Sequence, residues 1–79
     1  MIKCFTVIKV NIGKMDQVIR ELKKIDRIEQ IYTLSGIYDL MIELKINNIE
    51  ELDDILVNKI DQIEGIINTN TFIVLKEYK

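Results

Sequence analysis

The spacing of hydrophobic residues in this chain switches repeatedly between a period of two and a period of about 3.6 residues, and each switch marks a change from strand to helix or back. Ile2–Val10 alternates and is rich in β-formers, with Cys4, Thr6, Ile8 and Val10 on one side and Phe5, Val7 and Lys9 on the other. Asn11 to Gly13 forms a turn. Over residues 14–24, Met15, Val18, Ile19 and Leu22 fall at helical spacing. A second strand is expected over residues 28–34 and a tight turn at Ser35-Gly36. A third strand follows over residues 38–46, where Tyr38, Leu40, Ile42, Leu44 and Ile46 alternate with Asp39, Met41, Glu43 and Lys45. Asn47 or Asn48 is placed to cap a second helix running to about Gln62, with an apolar stripe of Ile49, Leu52, Ile55, Leu56 and Ile60, extending toward Ile63. Glu64-Gly65 ends that region, and a last strand covers residues 66–75.

The resulting order, βαββαβ, is that of the ferredoxin-like split βαβ plan. The fold class is α+β. Right-handed crossovers put both helices on one face of a four-stranded antiparallel sheet. The other face has no cover within the chain, yet apolar residues occupy both sides of several strands. It is expected to pack on a second copy in a two-fold dimer, a dimeric α/β sandwich.

With 79 residues the chain holds one domain, residues 1–79, and a domain this small needs some staple to be firmly stable. Disulfides do not supply it, because Cys4 is the only cysteine. A lone cysteine fits a reducing compartment, and a buried apolar role suits it better than a reactive thiol. A hydrophobic content of 48% leaves oligomerisation as the staple.

Composition also removes function classes. Eleven basic against 13 acidic residues give a net charge of −2, with the basic residues scattered, which argues against direct nucleic-acid binding. Lys23, Lys24 and Arg27 cluster at an expected helix end, where they favour the dipole. No apolar run approaches a membrane span and the N-terminus lacks a signal-peptide pattern, so a cytoplasmic location is expected. Histidine is absent, which removes Ser–His and Cys–His nucleophile pairs and histidine metal sites. The glycines form no GxGxxG or P-loop. Glu50, Glu51, Asp53 and Asp54 read as a solvated helix start rather than a metal site. No cofactor is expected, and an enzymatic role is not favoured.

Two polar constellations remain. In Ser35-Gly36-Ile37-Tyr38-Asp39-Leu40, Gly36 lets backbone approach a ligand. Asp39 opens a strand with its carboxylate on the face opposite Leu40, Ile42 and Leu44, where it can receive an ammonium group. Tyr38 adds a hydroxyl and an apolar ring. In Thr69-Asn70-Thr71, two hydroxyls share a strand face with Ile67, Ile73 and Leu75 and can hydrogen-bond a carboxylate or amide. An ordinary hairpin, a solvated carboxylate and β-branched filling of an edge strand account for the same residues about equally well.

At these residues the chain resembles the effector-binding domain of the leucine-responsive and asparagine regulator (Lrp/AsnC) family, the RAM domain, over essentially its whole length. The stretch from Ile31 through Ser35-Gly36-Ile37-Tyr38-Asp39-Leu40 is similar to the family's V-x-x-x-T/S-G-x-Y-D-L segment, with Ser35 where Thr is common. The run from Gly65 through Thr69-Asn70-Thr71 to Leu75 is similar to its G-V-x-x-T-x-T-x-I-V-L ending. The resemblance implies a ferredoxin-like fold, dimers through the sheet face, and assembly of dimers into octamers or larger rings. It also implies an amino-acid effector held between dimers. By position, Ser35, Gly36, Tyr38 and Asp39 form the hairpin side of that pocket, and Thr69 and Thr71 the final-strand side, from a neighbouring subunit. Family regulators carry a helix-turn-helix domain before this one. Here Met1 opens directly on the first strand, so a stand-alone effector domain is expected, one able to associate with a full-length regulator. The alternatives left open are a ligand-free interaction module and a small enzyme on the dimeric α+β barrel plan.

Overall fold

The computed structural model describes residues 1–79. Its elements are β1 (Ile2–Val10), α1 (Met15–Leu22), β2 (Ile28–Thr33), β3 (Leu40–Ile46), α2 (Ile49–Asn58), a short 3-10 turn (Ile60–Gln62) and β4 (Ile66–Ile73). The strands form one antiparallel sheet in the order β2-β3-β1-β4. This is the ferredoxin-like α+β fold expected from the alternating periods.

Register explains which residues meet. Residues paired across antiparallel strands project to the same face. Cys4, Thr6 and Ile8 of β1 lie opposite Leu44, Ile42 and Leu40 of β3, and all six are fully buried. Val18 and Leu22 of α1, with Leu52 and Ile55 of α2, complete one core with them. Both helices therefore cover the same sheet face. Burial pushes the Cys4 thiol above its ordinary pKa, so it stays a protonated, apolar filler at neutral pH.

Local chemistry sets the helix ends. Asn48 caps α2 by accepting from the Glu51 N–H at 2.8 Å, and the Glu51 carboxylate reaches back to the Asn47 N–H at 2.9 Å. Glu51 also meets Arg27 at 3.1 Å. Of the acidic start of α2, Glu51 is thus occupied in capping and pairing. The helix stops at Asn58, short of the expected Gln62, and the 3-10 turn swings Ile60 into the core. Ile49, assigned to the apolar stripe, is instead exposed.

The turn into β4 packs hard against α1. At Gly65, φ is +103°, and an added Cβ would lie 2.8 Å from Lys14 Cβ and 3.0 Å from Val18 Cγ2. Only glycine fits that approach. Just beyond, β4 departs from regular alternation: Val10 pairs with Ile66 and Lys9 with Asn68, leaving Ile67 as the extra residue of a bulge. Ile67 is pushed outward, off the face it was expected to share with Thr69 and Thr71. The strand ends at Ile73. Val74 N–H still donates to the Lys3 carbonyl at 2.9 Å, but Leu75 is 95% exposed.

The second face of the sheet is uncovered within the chain. Phe5 lies beside Phe72, and Val7 lies between Met41 and Asn70, with Tyr32 beyond Met41. None of these side chains is buried, and Phe72 is 58% exposed. Apolar groups thus cross all four strands in the open, an arrangement monomeric domains rarely leave to water.

Candidate functional site

The hairpin joining β2 to β3 is a longer loop than a two-residue turn. It spans residues 34–39 and is closed by Leu34 N–H donating to the Asp39 carbonyl at 2.9 Å. Gly36, at φ +130°, supplies the backbone state the loop needs, with open space around it.

Asp39 explains the extra length. Its N–H donates to the Ile8 carbonyl at 2.9 Å, and its Oδ2 accepts from the Val10 N–H at 2.8 Å. The side chain thus takes the acceptor position that the next backbone carbonyl of β3 would occupy, and it extends the β1 ladder past the end of β3. Its carboxylate therefore lies at the end of β1, tied to backbone, rather than standing free on the open face as expected. Lys9 Nζ sits 3.6 Å from the same oxygen. The Asp39 side chain is only 27% exposed.

This arrangement makes a stability prediction. Asp39→Ala leaves the Val10 N–H without its acceptor and is expected to cost about 1–3 kcal/mol. Asp39→Asn keeps an acceptor oxygen and should cost clearly less. Urea denaturation of the two variants decides it; equal losses would show that the hydrogen bond to Val10 contributes nothing.

Tyr38 reaches the other constellation by an unexpected residue. Its hydroxyl meets the side-chain amide of Asn70. Asn70 pairs with Val7 and so faces the open side of the sheet. Thr69 and Thr71 pair with Ile8 and Thr6 and face the helices. The Thr71 hydroxyl hydrogen-bonds the fully buried Thr6 hydroxyl at 2.8 Å, which satisfies a polar group inside the core. Within one chain the structure therefore brings hairpin and final strand together through Tyr38 and Asn70, not through the threonines. Ser35 and Gly36 stand exposed in the loop.

Three concavities mark the surface. One of about 420 Å³ lies at the Asp39 end, lined by Lys9, Val10, Asn11, Ile12, Gly13, Met15, Asp39 and Ile67. A larger one, about 620 Å³, lies at the opposite end of β1 between Met1, Lys3, Lys45 and the chain after β4. The third, about 330 Å³, separates the end of α1 from β2. Lys3 in the second is held above its ordinary pKa by a hydrogen bond and charge attraction from Glu77, but both groups are largely in solvent. The Asp39 concavity alone has a carboxylate anchored to backbone. Lys9, Ile12, Asn70 and Ile67 were not singled out from sequence. Lys9 looked like a routine polar position in an alternating strand, and Asn70 was hidden between two threonines.

Comparison with known proteins agrees with this fold. The family model of the Lrp/AsnC ligand binding domain matches residues 3–79. The HTH-type transcriptional regulator FL11 of Pyrococcus furiosus is 38% identical over 78 residues, covering 99% of this chain and 51% of the regulator. The crystal structure of AsnC from Escherichia coli superposes with a TM-score of 0.92 at 28% identity, covering 96% of this chain and 52% of that one. TTHA0845 of Thermus thermophilus superposes with a TM-score of 0.94 at 25% identity, and there nearly the whole of both chains is covered. The chain spans about half the length of the curated relatives it matches. A matching family model over almost every residue, together with these relatives and folds, establishes that the chain belongs to the Lrp/AsnC ligand-binding domain family.

Proposed function

We propose that residues 1–79 form one amino-acid-sensing regulatory domain that pairs through its open sheet face and signals by ligand-modulated assembly, alone or together with full-length regulators of the family. The observation that carries this reading is the anchored Asp39 carboxylate beside Lys9, at the edge of the 420 Å³ concavity. An ionised carboxylate held in one orientation is a ready acceptor for an ammonium group. Ser35, Gly36 and Tyr38 frame the hairpin side. Thr69 and Thr71 contribute from the edge strand of a neighbouring subunit once dimers assemble. No step of this role uses nucleic acid or a membrane; no helix is long and apolar enough to cross one.

Isothermal titration against the common amino acids tests the reading. At least one should bind more tightly than millimolar, and Asp39→Asn, which keeps the Val10 hydrogen bond but removes the charge, should weaken it at least roughly 10-fold. Binding no tighter than millimolar across the set would sink it.

A second reading is a ligand-free interaction module. What favours it is that Asp39 already has a structural role at the end of β1. Light scattering separates the two: the sensing reading requires assembly size to change when the ligand is added.

A further inference from the structure

We propose that the concavity of about 620 Å³ at the start of β1 is a separate ligand site for small aliphatic carboxylates that lack an ammonium group, with Lys3 and Lys45 receiving the carboxylate and Met1, Val74 and Leu75 lining the path of the carbon chain. This inference goes beyond the amino-acid-sensing reading and draws nothing from Asp39, which lies at the other end of β1.

Lys3 and Lys45 are direct partners across β1 and β3, on the open side of the sheet. Side chains so placed have Cβ atoms about 4.5–5.5 Å apart, and like charges there repel unless a negative group offsets them. Two carboxylates do so, and both are loosely held. Glu29 comes no nearer to Lys45 than 3.8 Å, with both side chains 44% exposed. Lys3 Nζ donates to Glu77 Oε1 at 3.1 Å, but the Glu77 side chain is 65% exposed. Glu77 belongs to the segment after β4, in which Val74 is the last residue with a backbone hydrogen bond. Exposed pairs of this kind contribute little to stability. A carboxylate from solution can therefore replace Glu77 beside Lys3 at small cost. Lys76, whose Nζ lies 5.1 Å from the centre of the Tyr78 ring, adds a third cation to the rim. The hydrogen bond and charge of Glu77, with a smaller pull from Glu43, keep Lys3 charged at neutral pH.

An apolar wall lies beside these cations. Met1 is 75% and Leu75 95% exposed, and neither belongs to the core. Val74, whose N–H continues the ladder to the Lys3 carbonyl, is half-buried next to them. An aliphatic chain laid along these residues gains roughly fourfold in affinity for each methylene fully buried, and less where burial is partial. An ammonium group next to the ligand carboxylate would meet three lysines, and the one carboxylate of the lining, Glu77, is the group the ligand displaces. That sets this site apart from the Asp39 end, where an anchored carboxylate stands ready for an ammonium. The concavity between α1 and β2 carries one lysine against one glutamate and has no such excess of positive charge.

Titration at pH 7 followed by amide proton–nitrogen NMR tests the inference with acetate, butyrate and hexanoate. The controls are 1-hexanol, which lacks the charge, inorganic phosphate, which lacks the chain, and norleucine, which is hexanoate with an ammonium beside the carboxylate. Hexanoate is expected to shift the amides of Lys3, Lys45 and residues 74–77, and to bind on the order of 10-fold more tightly than acetate, with butyrate between them. Hexanol and phosphate should each bind at least about 10-fold more weakly than hexanoate, and norleucine should leave these amides in place. Lys3→Gln should weaken hexanoate by roughly 10-fold. Glu77→Gln should tighten it several-fold, because the internal competitor is gone; a glutamate that served only to stabilise the fold would give no such gain. Urea curves matching the unsubstituted chain confirm that both variants are folded. Hexanol or phosphate matching hexanoate, norleucine shifting the same amides, no gain in Glu77→Gln, shifts confined to the Asp39 end, or no binding at all would each overturn the inference. All of these outcomes leave amino-acid sensing at the Asp39 end standing.

Discussion

Ile42→Ala is expected to cost the fold about 2–5 kcal/mol, against a total stability of roughly 4–12 kcal/mol for a domain of this length. Ile42 sits in the middle of β3, a central strand. It pairs with Thr6 of β1 on one side and Ile31 of β2 on the other, and it is fully buried. Truncation removes three carbons from the centre of the only core, between sheet and helices. The strands cannot close the gap, because their spacing is set by hydrogen bonds on both sides. The Thr6–Thr71 hydroxyl pair beside it is then left next to a void. The contrasting variant is Ile37→Ala in the hairpin loop, where the side chain is 82% exposed and the change should stay within about 0.5 kcal/mol. Urea denaturation at several protein concentrations measures both and separates the fold's own stability from any concentration-dependent share that assembly adds. A loss below 1 kcal/mol for Ile42→Ala would mean that the core is not organised around β3.

The same alternation that buries Ile42 made most of the fold legible. Leu40, Ile42, Leu44 and Ile46, like Cys4, Thr6, Ile8 and Val10, follow a strict period of two and all become buried. A period of two in a strand depends only on backbone geometry, so it is readable without knowing the partner strand. What could not be read was anything decided by a side chain acting as backbone or by a register slip. Asp39 extends the ladder of β1 with its own carboxylate, so the hairpin loop is longer than the Ser35-Gly36 turn implied. Ile67 is an extra residue opposite Lys9 and Val10, and no local pattern announces a bulge of that kind. The candidate site was legible in the same uneven way. Tyr38 and Asp39 were singled out because their residue types are unusual at a strand start. Lys9 and Ile12 were not singled out because their place beside Asp39 depends on what lies across space, not along the chain. The threonines were seen as a pair with one purpose, whereas the sheet turns Asn70 between them toward the open face and gives Thr71 a partner in the core.

Val7→Asp is expected to convert the proposed sheet-face assembly to monomers while leaving each domain folded. Val7 lies at the centre of the open face, between Met41 and Asn70 and on the opposite side of β1 from the core residues Thr6 and Ile8. In a single chain an aspartate there points to water, so the far-ultraviolet spectrum should be unchanged. In a two-fold pair closed over this face, each copy buries the new carboxylate, and symmetry sets two like charges near one another. An uncompensated buried charge costs about 3–5 kcal/mol, so the dimer dissociation constant should rise by at least roughly 100-fold. Asp53→Lys, on the exposed side of α2, changes charge by more and should leave assembly alone. Sedimentation velocity at micromolar concentration distinguishes them. If Val7→Asp sediments like the unsubstituted chain, the copies do not meet through this face. The open face around Phe5 and Phe72 would then need another cover.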